Sequence, residues 1–151
     1  MTPLEFHPLH PAQLHHYWPE LIEPGLAEIQ REQKADWLPE DIYASIYNAR
    51  AECFLMKRTD RWLGFFVGYS TPIVYGSTDL KYFLHLIWSV PPADREEEDR
   101  DAMSFDRNAT IEFVKHRARE HKCKLIETIS NRHFHTRLGF EEYARVYRMD
   151  V

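Results

Sequence analysis

Leu80-Lys81-Tyr82-Phe83-Leu84-His85-Leu86-Ile87-Trp88-Ser89-Val90-Pro91-Pro92 is a run of aromatic and branched side chains that stops at two prolines. Residues of this kind suit a pleated, half-buried surface, so a strand is predicted from Leu80 to Val90. Two earlier stretches, Glu52 to Lys57 and Trp62 to Ser70, have the same character. Thr59-Asp60-Arg61 and the segment from Thr71 to Asp79 punctuate them as turns. Together the three runs predict an antiparallel meander.

Upstream of the meander, Leu4 to Leu9 reads as a short first strand closed by Pro8 and Pro11. Leu14, Trp18, Leu21, Ile22, Leu26 and Ile29 follow at spacings of three and four, the mark of one buried helical face. Pro19 and Pro24-Gly25 lie inside that pattern and predict a break into short helices. Pro39 suits the first position of a second helix, with Glu40 and Asp41 in its first turn and Ile42, Ile46 and Ala49 facing the core. Downstream, a helix is predicted from Asp106 to His121, with Ile111, Val114 and Ala118 on one face. A strand from Leu125 to Ile129, a short helical turn to Leu138-Gly139-Phe140 and a closing strand from Tyr143 to Val151 complete the chain.

The predicted order is strand, two helices, three strands, helix, strand, short helix, strand. That is a mixed α/β class, with a central mixed sheet, helices on both faces and a parallel crossover around the third main helix. With 151 residues, no repeat and no low-complexity linker, residues 1–151 read as one domain.

Composition narrows the function. A hydrophobic content of 44% marks a globular chain, and a net charge of −5 weighs against nucleic acid as the main partner. The two cysteines, Cys53 and Cys123, share no motif, so neither a disulfide framework nor a thiolate zinc site is expected, and both read as small buried apolar groups. The nine histidines fix no ligand spacing, so no metal is expected. The N-terminus lacks a basic region followed by an apolar run, and no apolar stretch approaches the ~20 residues that span a bilayer. A soluble cytoplasmic protein without a membrane partner is expected; monomer and dimer are not distinguished.

Two motifs carry a family resemblance. Ile87-Trp88-Ser89-Val90-Pro91-Pro92 is similar to the apolar-aromatic-x-Val-x-Pro strand end of the GNAT (Gcn5-related N-acetyltransferase) superfamily. His135-Thr136-Arg137-Leu138-Gly139-Phe140, with Asn131 upstream and Arg145-Val146-Tyr147-Arg148-Met149 after it, resembles that superfamily's Tyr-x-x-Leu-Gly-Phe tail and last strand. Trp37-Leu38-Pro39-Glu40-Asp41-Ile42-Tyr43 also resembles small GNAT-like proteins of tailed bacteriophages. The resemblance implies that acetyl-CoA lies where the fourth and fifth strands splay apart. It implies that the pantetheine arm bonds Trp88, Ser89 and Val90, and that the pyrophosphate sits at the start of the next helix. A tyrosine usually protonates the leaving thiolate, while a carboxylate or ordered water relays the amine proton.

The chain departs from that pattern in two places. No glycine occurs between Val90 and Phe113, so the nearest equivalent of a phosphate loop is Arg107-Asn108-Ala109, without the closeness that glycine permits. An acidic insert, residues 93–106, precedes the third main helix; from Asp94 to Arg107 seven acids face three bases, a net −4. It reads either as a lid over the site or as a solvated helix turned away from it. The second departure is His135, which stands where the tyrosine is expected and is either an acid for the thiolate or an exposed helix-end histidine. Glu127, alternating with Leu125 and Ile129, and His85 are the candidate bases, though His85 also reads as a core histidine.

Two functions follow as expectations. One is an acetyl-CoA-dependent N-acetyltransferase acting on an amine of a protein or small molecule. The other is a GNAT-fold binding module with a degenerate CoA site, a phage protein that engages a host bacterial enzyme.

Overall fold

The computed structural model describes residues 2–33, 37–129, 139–142, 147 and 149–150. The expected short helix and closing strand after Ile129, with Asn131 and His135, lie outside the described residues.

Strand β1 (Glu5–Pro8) opens the chain and pairs antiparallel with β2 (Glu52–Arg58). β2 pairs with β3 (Arg61–Pro72), and β3 with β4 (Leu80–Ser89), which is the predicted meander. β5 (Cys123–Glu127) joins β4 in parallel, so the described sheet runs β1-β2-β3-β4-β5. Strand β5 begins two residues before the predicted start. The class therefore agrees with the mixed α/β architecture expected from the sequence, while the described sheet has five strands and the expected sixth falls outside the described residues.

The helical region after β1 is not interrupted as its prolines predict. Helix α1 (Leu14–Tyr17), a π turn (Trp18–Ile22) and helix α2 (Glu23–Gln33) follow one another without a gap. Pro19 and Pro24 have no N–H to donate, and the helix accommodates them by widening: the Glu23 N–H reaches back five residues to the Trp18 carbonyl. The predicted apolar face survives, with Leu14, Leu21, Ile22, Leu26 and Ile29 all buried.

Gly25 in this region is a packing residue. A Cβ added there would lie 2.6 Å from Phe65 Cε1 and 2.8 Å from Trp88 Cδ2, so only glycine lets α2 rest on β3 and β4 at this point. Helix α3 (Pro39–Tyr47) starts with proline at its first position, and Asp41 Oδ2 accepts from the Leu38 N–H at 3.1 Å. Ile42 and Ile46 are buried, but Ala49 is exposed beyond the helix end, at φ 57°, instead of facing the core.

Two apolar layers enclose the sheet. Helices α1 to α3 cover one face over Leu55, Phe65, Val67 and Leu86, with Trp18, Trp37, Trp62 and Trp88 partly buried around them. The opposite face, Phe54, Phe66, Tyr82 and Leu84, takes Val114 and Ala118 of helix α5 (Met103–Glu120). Of the two free cysteines Cys53 is buried, whereas Cys123 is only half-buried.

The acidic insert is not a wholly solvated helix. It folds as a 3-10 turn (Pro92–Asp94) and helix α4 (Glu97–Asp101), joined to α5 through Ala102. Arg58, at 0% exposure, donates from Nη1 to Asp99 Oδ1 at 2.7 Å, from Nη2 to Asp106 Oδ1, and from Nε to the Thr2 carbonyl at 2.8 Å. Arg61 holds Asp99 Oδ2 at 2.7 Å and Glu98 at 3.1 Å. Four acids of the insert and its border are thus engaged from the β2–β3 turn, because the buried Arg58 guanidinium requires carboxylate partners and the half-buried Arg61 adds its own.

Candidate functional site

The site begins where β4 loses its neighbour. β4 and β5 pair only from Leu80↔Cys123 to Phe83↔Glu127. At the next residue the Thr128 hydroxyl donates to the Leu84 carbonyl at 2.9 Å, filling the acceptor that β5 leaves. Beyond it, from His85 to Ser89, no described strand adjoins this edge of β4.

A bulge marks the same point. Val67 pairs with Leu86 and Gly68 with Leu84, which leaves His85 as an extra residue in β4. Such an insertion bends the strand and sharpens its twist, and so turns the end of β4 away from β5.

The open edge has a definite donor and acceptor set. The Val90 N–H bonds back to the Leu63 carbonyl of β3 at 2.8 Å. Main-chain groups alternate sides along an antiparallel strand, so Val90 and Trp88 face β3 while Ile87 and Ser89 face the opening. The Val90 carbonyl is taken as well, by Arg95 Nε at 2.6 Å. Of the three residues expected to bond an extended ligand, Ser89 is the one whose main chain is free to do so. Ile87 joins it, a residue that the strand-end motif alone did not single out.

A cavity of about 240 Å³ lies at this end of β4, against Ile87, Trp88 and Ser89, and is lined from both sides of the sheet. Glu28 of α2 and Trp88 border it on one side, Arg107, Thr110 and Ile111 of α5 on the other. The Trp88 indole donates to Glu28 Oε2 at 3.0 Å, which fixes the ring across the cavity mouth.

Two cations line the cavity, and neither has a carboxylate within ion-pair distance among the described residues. Arg95, 8% exposed, donates only to carbonyls, those of Val90 and Asp99. Burial pulls its guanidinium pKa below the ordinary value, against the raising effect of nearby Asp106 and Asp99. Arg107 is half-buried and has no side-chain partner among the described residues. Asp106, 6% exposed, uses Oδ1 for Arg58 and leaves Oδ2 buried without a partner. The cavity lining therefore carries two guanidiniums and two carboxylates, one of them with an unmet acceptor oxygen.

Asn108 and Ala109 do not form a phosphate loop. Helix α5 starts at Met103, three residues before the predicted start, so both sit inside it with their amides directed into the helix. The amides that a helix start leaves free belong to Met103, Ser104 and Phe105, and no side chain caps them. Arg107, by contrast, does reach the cavity.

Of the candidate bases, His85 lies at the bulge, half-buried between Trp37, Tyr69 and Phe83, with ring centroids 6.5, 6.3 and 5.7 Å away. It has no hydrogen-bond partner among the described residues, and burial lowers its pKa below 6.5, so the imidazole is neutral near pH 7. Glu127 is not held alone among apolar neighbours: Lys81 Nζ lies 2.8 Å from its Oε1, across the parallel pair. No group of three His, Cys, Asp or Glu side chains suited to a metal ion occurs among the described residues. No described helix is long and apolar enough to cross a membrane.

No family model and no curated protein sequence matches this chain. Solved structures do. An aminoglycoside N-acetyltransferase in complex with CoA superposes with a TM-score of 0.63 at 16% identity, over 100% of this chain and 96% of its own. A ribosomal-protein-alanine N-acetyltransferase from Brucella melitensis biovar Abortus 2308 gives 0.59 at 17% identity, over 97% and 99%. An acetyltransferase of Trypanosoma brucei gives 0.55 at 18% identity, over 98% and 99%. At such identities the likeness speaks for architecture alone: the fold is one that these acetyltransferases share.

Proposed function

We propose that this chain is an acetyl-CoA-dependent N-acetyltransferase acting on a primary amine. One observation carries the reading: β4 parts from β5 after Phe83, and a cavity at the free end of β4 is bordered by open main-chain groups and by two guanidiniums without a carboxylate partner among the described residues. Among proteins of like architecture, one was crystallised in complex with CoA.

The residues present fit such a substrate. An extended amide-bearing arm pairs with the open edge at Ile87 and Ser89, as a short added strand would. Asp106 Oδ2 is an acceptor waiting for an N–H or O–H. Arg107 and Arg95, with the first-turn amides of α5, take the place of the absent glycine loop at the anionic end. Asn131 and His135, outside the described residues, are proposed for binding and for protonating the thiolate.

Acetyl-CoA supplies an activated acyl group on a good leaving thiol. His85 stands at the parting of the strands and accepts the amine proton at an imidazole nitrogen, directly or through one water. Glu127, neutralised by Lys81, orients the relay instead of serving as first base. The alternative, a phage module that binds a host enzyme, rests on the missing glycines and the acidic insert. Asp99 and Asp106 are turned inward onto Arg58 and are withdrawn from such a contact surface, which leaves Asp94, Glu96, Glu97, Glu98 and Asp101 exposed on it.

Calorimetric titration with acetyl-CoA tests the proposal. Binding is expected, weakened at least about tenfold in Arg107→Ala, a change worth ~1.4 kcal/mol. Absence of binding at millimolar ligand ends the acetyl-transfer reading.

A further inference from the structure

The face of the sheet that carries His85 is aromatic and electrically balanced. Phe83 and Tyr69 are cross-strand partners on β4 and β3, with ring centroids 5.4 Å apart. Trp37 meets the His85 ring edge-on, and the Gln30 side chain donates to the Trp37 carbonyl at 2.9 Å, which ties that residue to α2. All four rings are half-buried, so each keeps an edge or face open to solvent. The carboxylate beside them, Glu127, is matched by Lys81, and both charges act on the Tyr69 hydroxyl. Neither that hydroxyl nor the His85 ring is hydrogen-bonded to a described residue.

This chemistry separates acceptor classes. A polycationic acceptor needs several unpaired carboxylates, and here the adjacent one already has its cation. Aromatic rings favour another ring placed edge-to-face or offset, at ~4.5–7 Å between centroids. They also tolerate one ammonium before it is deprotonated. We infer that the acceptor is a primary amine carried on a short arm from an aromatic ring, the ring held by Trp37, Tyr69 and Phe83 and the nitrogen facing His85. The inference rests on the acetyl-transfer reading and adds the class of acceptor. Two sources share the chemistry, a free aralkylamine and a peptide whose first residue is phenylalanine or tyrosine.

The test uses the full chain with acetyl-CoA and follows thiol release. Its arms are phenethylamine, a Phe-initiated tetrapeptide, n-butylamine and the polycationic aminoglycoside kanamycin. Acetyl-CoA affinity is measured separately by calorimetry, so failure of the cofactor reading is distinguished from failure of this one. The expected result is kcat/KM at least about tenfold higher for one aromatic arm than for n-butylamine, the size of one or two good ring contacts. Which aromatic arm leads identifies the source. Trp37→Ala and Tyr69→Ala should raise KM for that arm about tenfold and leave acetyl-CoA affinity unchanged, while Tyr69→Phe keeps the preference. Equal rates for aromatic and aliphatic amines, a preference for kanamycin, or intact acetyl-CoA binding with no turnover of any arm would overturn the inference.

Discussion

Replacing Arg58 by methionine probes how the acidic insert is held. The substitution keeps an unbranched apolar stem in a site with 0% exposure but removes every donor. Asp99 retains Arg61, whose Nε lies 2.7 Å from Oδ2. Asp106 retains no hydrogen-bonded side chain among the described residues, only the nearby charge of Arg95: its Oδ1 loses Arg58, and its Oδ2 is already buried without a partner. Breaking a buried pair from one side costs about 3–5 kcal/mol, because the surviving charge stays desolvated. In a domain of this size each kcal/mol lowers Tm by ~2–4 °C, so Arg58→Met is expected to melt about 6–20 °C below the parent. Urea titrations at pH 7 followed by circular dichroism give the free energy directly. The double variant Arg58→Met/Asp106→Leu removes both members and should recover at least half of the loss. A loss under about 1 kcal/mol in the single variant, or a double variant no better than the sum of the singles, refutes a buried clamp.

Other outcomes follow from the same contacts. Arg61 first, and Arg58 as well, hold the Asp99 carboxyl below its ordinary value against the raising effect of burial. A lowered folded pKa stabilises above the unfolded value near ~3.9, so this contribution is lost as pH falls below about 4, visible as a steepening of acid unfolding. Gly25→Ala forces a methyl into Phe65 and Trp88 and should cost about 1–3 kcal/mol in a urea titration. Burial pushes the Cys53 thiol far up, so in the native protein a thiol reagent should modify Cys123 first and leave Cys53 untouched until unfolding. If His85 is the base, kcat/KM should fall at acid pH with an apparent pKa below 6.5, the direction set by its burial, and His85→Ala should abolish that limb. A profile flat down to pH 5 would assign the proton elsewhere.

The meander was legible because its evidence is local: aromatic and branched runs separated by turn residues need no distant partner to be read. The helical face from Leu14 to Ile29 was legible for the same reason, but its continuity was not. A proline announces a missing donor, while the remedy, a π turn that Glu23 closes onto Trp18, depends on packing against the sheet. His85 was recognisable as a candidate, whereas its setting between Trp37, Tyr69 and Phe83 joins segments that lie far apart in the chain. Glu127 read as a lone carboxylate because Lys81, its partner across a parallel pair, is 46 residues away.

The sequence by itself determined the class of fold, the three-strand meander and the end of the central strand, since periodicity and turn chemistry act over a few residues. Only the tertiary structure decided the fate of the charges. Whether Asp99 and Asp106 meet solvent or Arg58, and whether Val90 or Ser89 keeps a free main chain, depends on contacts that chain folding brings together. Electrostatic and hydrogen-bond energies are set by distance and burial, and neither quantity is written in residue order.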